Sequence, residues 1–141
     1  MSLGDPLPWL LVVAAAHLGF QLTVDLVVYP ALGEMPDERW AHAHQRHSSR
    51  ITPVVAAVYP PLVGVLAWAV VSRPDDPATW LAVAGGALSV LTTAAVAAPT
   101  HGRLSGVGPD ERAPLLRRLD RADRVRTLGA AACLVGALLA L

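Results

Sequence analysis

The chain has 141 residues, of which 54% are hydrophobic and only 16% charged, and its formal net charge is zero. An ordinary soluble domain is about 25% charged, and one this small has too little interior to hide so much apolar surface. Balanced charge argues against a nucleic-acid partner, and a lone cysteine, Cys133, excludes an internal disulfide and reads as a small packing residue.

The apolar residues fall in four blocks, which predict an all-α, single-domain integral membrane four-helix bundle with spans at about residues 8–29, 51–71, 80–98 and 122–141. The first block has no basic leader and carries a carboxylate near its end, so it is expected to remain as a span rather than to be a cleaved signal. It holds His17, Gln21 and Asp25 at i, i+4 and i+8, with Tyr29 extending the row. Residues four apart share a helix face, and ionisable groups inside a membrane face the bundle interior and mark a site. Asp25 is expected to pair with an arginine at the start of the fourth span, and the same row read blandly is polar glue between helices.

Between the first two spans, Pro36, Asp37 and Glu38 suit a helix start, predicting a short interfacial helix from about Pro36 toward Pro53. It carries His44 and His47, three apart and on one face, a candidate metal pair to which His101 and Asp25 are possible additions. The plain alternative is a set of solvated histidines. In the second span, Tyr59 precedes Pro60 and Pro61, which predict a kink. In the third, Gly85, Gly86 and Ser89 favour close helix packing. Pro99 is expected to end that span, with Gly102 permitting a turn that fixes His101 at the mouth of the bundle, where an imidazole serves as general acid or base.

The segment before the fourth span starts at about Pro109 and repeats Leu115, Leu116 and Leu119 at helical spacing among arginines. It predicts a second interfacial helix, lying on headgroups and running into the span. Asp120, Arg121, Asp123, Arg124 and Arg126 crowd the entry, partly as intrahelical pairs, and the arginines suit an anionic group or lipid headgroups. All eleven basic residues are arginine, and ten flank the first-to-second and third-to-fourth connections. That side is expected to be cytoplasmic, leaving both termini outside a bacterial inner membrane.

Two motifs carry a family resemblance. Pro99-Thr100-His101-Gly102-Arg103-Leu104 follows the third span, and Asp123-Arg124-Val125-Arg126-Thr127 enters the fourth. With Tyr29-Pro30 and His44-Gln45-Arg46-His47-Ser48-Ser49-Arg50-Ile51, they resemble the anthrone-oxygenase-like superfamily of small four-span membrane proteins. Asp123 stands where that family has asparagine, and Arg124 where it has an aromatic. The resemblance implies a four-helix bundle and, for some members, oxidation of aromatic polyketides.

These readings predict a membrane-embedded tailoring enzyme for a lipophilic, aromatic polyketide-like molecule. His101, Asp25, Arg121 and Arg126 are the candidate catalytic groups, and His17, Gln21, Tyr29, Tyr59 and Asp123 the candidate substrate contacts. His44 and His47 are candidate metal ligands, and the cofactor is either a divalent metal or none. The bilayer is the expected partner, and homo-oligomerisation is left open. Two alternatives stand beside the enzyme: a non-enzymatic transporter subunit or assembly partner, and a metal or bis-histidine haem protein with His17 as one axial ligand.

Overall fold

A computed structural model describes residues 4–141. It is all-helical, and its helices are α1 (Pro6–Gly33), α2 (Asp37–Ser72), α3 (Pro77–Leu104) and α4 (Pro109–Leu139). The first three are long and apolar enough to cross a membrane. The last turns of α4 are equally apolar, but Asp123, Arg124 and Arg126 sit at the base of that stretch.

The first expected interfacial helix is not a separate element, whereas the second runs into the fourth span as expected. Pro36 caps one helix of 36 residues, about 54 Å long at 1.5 Å per residue, that runs through Pro53, Pro60 and Pro61 without interruption. The segment from Pro109 likewise belongs to a single helix of 31 residues. It does not, however, lie with its leucines toward headgroups. Leu115 and Leu119 pack with Leu32, Trp40, Ala97 and Leu104 in an apolar cluster of the protein itself.

The helices pack in the cyclic order α1–α2–α3–α4, which puts α1 and α3 on one diagonal. This arrangement has a counterpart in the sequence. Asp5-Pro6-Leu7-Pro8-Trp9-Leu10 opens α1, and Asp76-Pro77-Ala78-Thr79-Trp80-Leu81 opens α3; Pro36-Asp37-Glu38-Arg39 opens α2, and Pro109-Asp110-Glu111-Arg112 opens α4. The chain is thus two helical hairpins of matching pattern. Each Asp-Pro start works the same way, with proline fixing the first turn and the carboxylate taking orphan backbone N–H groups. Asp5 accepts from Leu7 N at 3.2 Å, and Asp76 accepts from Ala78 N and Thr79 N at 3.1 and 3.2 Å.

The repeat extends to a shared irregularity. A π-helical turn spans Val24–Val28 in α1 and Thr93–Ala97 in α3, and in each case a proline, Pro30 or Pro99, stands two residues beyond it. Proline lacks an N–H, and its ring collides with the carbonyl four residues back. A wider turn makes room for it, and Tyr29 and Ala98 bond five residues back, to Val24 and Thr93. Both helices therefore continue past proline, so that His101 is helical rather than part of a turn.

Apolar clusters occupy the two ends. Leu7, Leu10, Leu62, Leu66, Cys133 and Ala137 fill the end near Asp5 and Asp76, and the Trp40 cluster fills the other, the histidine end. On α3 and α4, glycine permits near-backbone contact. A Cβ on Gly85 would stand 2.5 Å from Gly129 O, and one on Gly129 would stand 2.7 Å from Gly85 O.

Candidate functional site

Polar side chains gather between the two apolar clusters, and the surface is apolar instead. His17, Gln21 and Asp123 are 0% exposed, whereas Leu26, Leu128 and Val71 are 69%, 69% and 81% exposed. That inverts the usual order of a water-soluble protein.

The polar residues form two groups, because the π turn at Val24–Val28 inserts an extra residue into the α1 row and rotates the side chains beyond it. His17 and Gln21, before it, meet α3. Gln21 Nε2 donates to Ser89 Oγ at 3.1 Å and to Tyr59 OH at 3.4 Å, Ser89 Oγ lies 3.1 Å from His17 Nε2, and Tyr59 OH lies 2.9 Å from Thr93 Oγ1. The expected row is therefore split, and His17, Gln21 and Tyr59 do not join the histidine cluster. The ring against His17 is Tyr59, at 5.1 Å, so no bis-histidine axial pair is assembled there. Ser89, read from sequence as a packing residue, is the hub of this group.

Beyond the π turn, Tyr29 meets the histidines. Its hydroxyl lies 3.1 Å from His101 Nε2 and accepts from Arg126 Nη2 at 3.3 Å, while His101 Nδ1 lies 3.4 Å from His44 Nε2. These contacts form one connected chain from Arg126 to His44. The roles at His101 follow its tautomer: with the proton on Nδ1, the Tyr29 hydroxyl donates to Nε2 and His101 donates to His44. His47 flanks the same ring, with centroids 5.5 Å apart, and His44 stacks on it at 5.6 Å. His44, His47 and His101 thus form one contact cluster, the grouping considered for a metal site.

The stack continues into residues that sequence reading did not single out as functional. Trp40 stacks on His44 at 5.3 Å, and the Arg112 guanidinium lies 4.5 Å over the indole. Asp37 holds Arg112 at 2.6 Å, and Trp40 Nε1 donates to Leu104 O at 3.4 Å. The available signal was the repeated Pro-Asp-Glu-Arg, since Arg112 occupies the position of Arg39 in the other hairpin.

Three expectations need correction. Arg126 is paired with Asp123 of its own helix, not with Asp25. Asp25 instead stands beside Asp123, close enough for their carboxyls to interact. Arg121 is exposed and lies away from the site, since five residues along a helix turn it through about 140° from Arg126. The expected intrahelical pairing at this entry does occur, between Arg124 and Asp120 at 2.9 Å. Finally, His44 and His47 contact His101 through hydrogen bonding and ring packing, and among the described residues no three His, Cys, Asp or Glu side chains converge as metal ligands.

A cavity of about 270 Å³ opens beside this cluster. Tyr29, His47, His101 and Arg126 supply its polar wall; Phe20, Val24, Ile51, Val55 and Ala97 supply the apolar remainder. Both π turns contribute to it, Val24 from one and Thr93 and Ala97 from the other. The arrangement offers an apolar chamber with a hydrogen-bonded Arg126–Tyr29–His101 chain at one wall. Comparison with protein-family models, with curated proteins and with solved structures finds no match to this chain.

Proposed function

We propose that the protein is a four-span membrane enzyme that moves a proton on a small lipophilic molecule held in this cavity. The observation that carries the reading is the Arg126–Tyr29–His101 relay on the wall of an otherwise apolar chamber. A lipid setting is supported by the inverted polarity: valine and leucine outside, imidazole, amide and carboxylate inside. The arginine-rich histidine end is then the cytoplasmic side. At about 54 Å, α2 exceeds a hydrocarbon core of about 30 Å, so its first turns stand clear of the bilayer with the Trp40 stack. The fourth span is the uncharged stretch of α4, with the Asp123–Arg126 pair satisfied inside the bundle at its entry.

In this reading a substrate with a weakly acidic proton, on carbon or on a phenolic oxygen, lies against Tyr29 and Arg126. His101 accepts a proton through the Tyr29 hydroxyl, and the guanidinium stabilises the anion that remains. An anthrone-like ketone suits such a chamber. Loss of its methylene proton gives a carbanion that transfers its electron pair to molecular oxygen. The hydroperoxide so formed loses water, so that one ketone and one O₂ give one quinone and one water. The anthrone-oxygenase-like resemblance supports this substrate class.

The test is oxygen uptake and quinone formation by the protein in lipid nanodiscs given an anthrone-type substrate. Wild type is expected to consume one oxygen per quinone, and His101→Ala is expected to fall to the uncatalysed rate. Equal rates for both proteins would remove the enzyme reading and leave the non-enzymatic one.

A further inference from the structure

A second concavity, a groove of about 690 Å³ on the outer face of the α1–α2 hairpin, adjoins the first cavity at His47 and Ile51, and its remaining lining is its own. One wall is a stripe of α2 carrying Arg39, His42, Arg46 and Arg50, at i, i+3, i+7 and i+11 and so on one helix face. The opposite wall is the end of α1, with Val27, Val28 and Leu32, and Ile51 closes the groove toward the membrane.

Three facts make this more than a solvated basic surface. Among the described residues, the ion pairs formed are Arg73–Asp5, Arg112–Asp37, Arg124–Asp120 and Arg126–Asp123, so none of the groove arginines has an acidic partner. Glu38 is the one acid on the rim. The internal repeat supplies a contrast, since Arg112, at the position of Arg39, is buried, stacked on Trp40 and held by Asp37, whereas Arg39 is exposed in the groove. Lastly, the polarity is graded. Val27, Val28 and Ile51 lie where α1 and α2 enter the apolar window, and Arg50 and Arg46 follow at successive turns, about 6 Å apart, toward the histidine end.

We infer that this groove binds an anionic phospholipid, one whose phosphate charge is not cancelled by a cationic headgroup, with its acyl-glycerol part against Val27, Val28 and Ile51 and its phosphate on Arg46 and Arg50. The assignment rests on the proposed membrane setting but not on the enzymatic reading. Guanidinium forks match phosphate oxygens, and the apolar wall distinguishes a lipid phosphate from a free one.

Native mass spectrometry of the full chain, released from a neutral detergent, tests this with added phosphatidylglycerol, cardiolipin, phosphatidylcholine or inorganic phosphate. Phosphatidylglycerol or cardiolipin is expected to be retained at least tenfold over phosphatidylcholine, and excess inorganic phosphate is expected not to displace it. Arg46→Gln with Arg50→Gln should weaken retention about 25-fold, the value for two basic groups acting at a lipid surface. Lysine at both positions should restore part of it, since the charge returns without the guanidinium fork, and full loss with lysine would assign the effect to something other than charge. Arg117→Gln with Arg118→Gln, on the other hairpin, should change it little. Equal loss in both glutamine pairs overturns the groove assignment in favour of diffuse surface charge, and equal retention of phosphatidylcholine overturns the anionic-lipid assignment. Displacement by inorganic phosphate overturns the lipid assignment. A protein that stays monodisperse in water without detergent would overturn the membrane reading itself, a result separate from any of these.

Discussion

The Tyr29 hydroxyl stands 3.1 Å from His101 Nε2 although the two residues are 72 positions apart, and each sits at a helix segment displaced by a π turn and a proline. The pairing depends on both irregularities, because an unbroken α-helical register would carry each ring to another face. Tyr29→Phe keeps the ring but removes the hydroxyl that links Arg126 to His101. Proton transfer through a positioned side chain is worth about 10²- to 10⁴-fold. The expected outcome is a loss of about a hundredfold in turnover with little change in apparent substrate affinity, read by oxygen uptake in nanodiscs. A Phe variant of full activity would show that His101 acts without Tyr29.

The contact between α3 and α4 allows a stability prediction. Gly129 faces Gly85 O and Ser89 N at distances that leave no space for a methyl, whereas nothing lies within 4 Å of a Cβ built on Gly64. Gly129→Ala is therefore expected to destabilise the bundle by about 1–3 kcal/mol, the usual cost of overpacking. Gly64→Ala is expected to be neutral or slightly stabilising, since alanine is the better helix former. Unfolding by sodium dodecyl sulfate, followed by tryptophan fluorescence, distinguishes the two. A neutral Gly129→Ala would mean that the helices can separate there at no cost.

Much of this architecture is legible in the sequence, and the features that escape it do so for identifiable reasons. The apolar blocks mark the helices, and helical spacing together with His101's place after the third span brings His44, His47 and His101 together. Pro36 marks a true helix start, but proline misleads at Pro53 and Pro99, because each reads as the boundary of a short element. Pro53 and Pro99 lie inside continuous helices, and a π turn accommodates Pro99. The matching turn in α1 breaks the row from His17 to Tyr29, since an i, i+4 pattern assumes a constant register. Asp25 reads as the partner of an arginine at the start of the fourth span, and Asp123 as a substrate contact. The local pair, Asp123 with Arg126 three residues apart on one helix, forms instead, and sequence distance alone does not reveal which rotamers converge.

Capping by Asp76 predicts a pH dependence. The Thr79 hydroxyl at 2.7 Å, with the backbone N–H groups of Ala78 and Thr79, holds this carboxyl below its ordinary value. A carboxyl with a depressed folded-state pKa stabilises the fold above its unfolded pKa, about 3.9, and the contribution is lost as pH falls through the folded value. Wild type is expected to melt a few degrees above Asp76→Ala at pH 7, and the gap should close as the pH is lowered below about 4. Circular dichroism melts at the two pH values check this, and a gap that persisted in acid would assign the difference to something other than the ionised cap.

Asp123 and Arg126 form an ion pair whose side chains are almost wholly shielded, with 0% and 6% exposed. Removing one partner leaves the other charge buried, which costs about 3–5 kcal/mol, whereas replacing both with apolar groups of similar size is often neutral. Asp123→Ala is expected to lose stability by that amount in detergent unfolding, and Asp123→Leu with Arg126→Met is expected to regain most of it. The double variant is also informative about function. It retains the bundle but removes the guanidinium that orients Tyr29, so restored stability should come without restored turnover. Recovery of both would show that the pair serves packing alone and that Tyr29 needs no cation beside it.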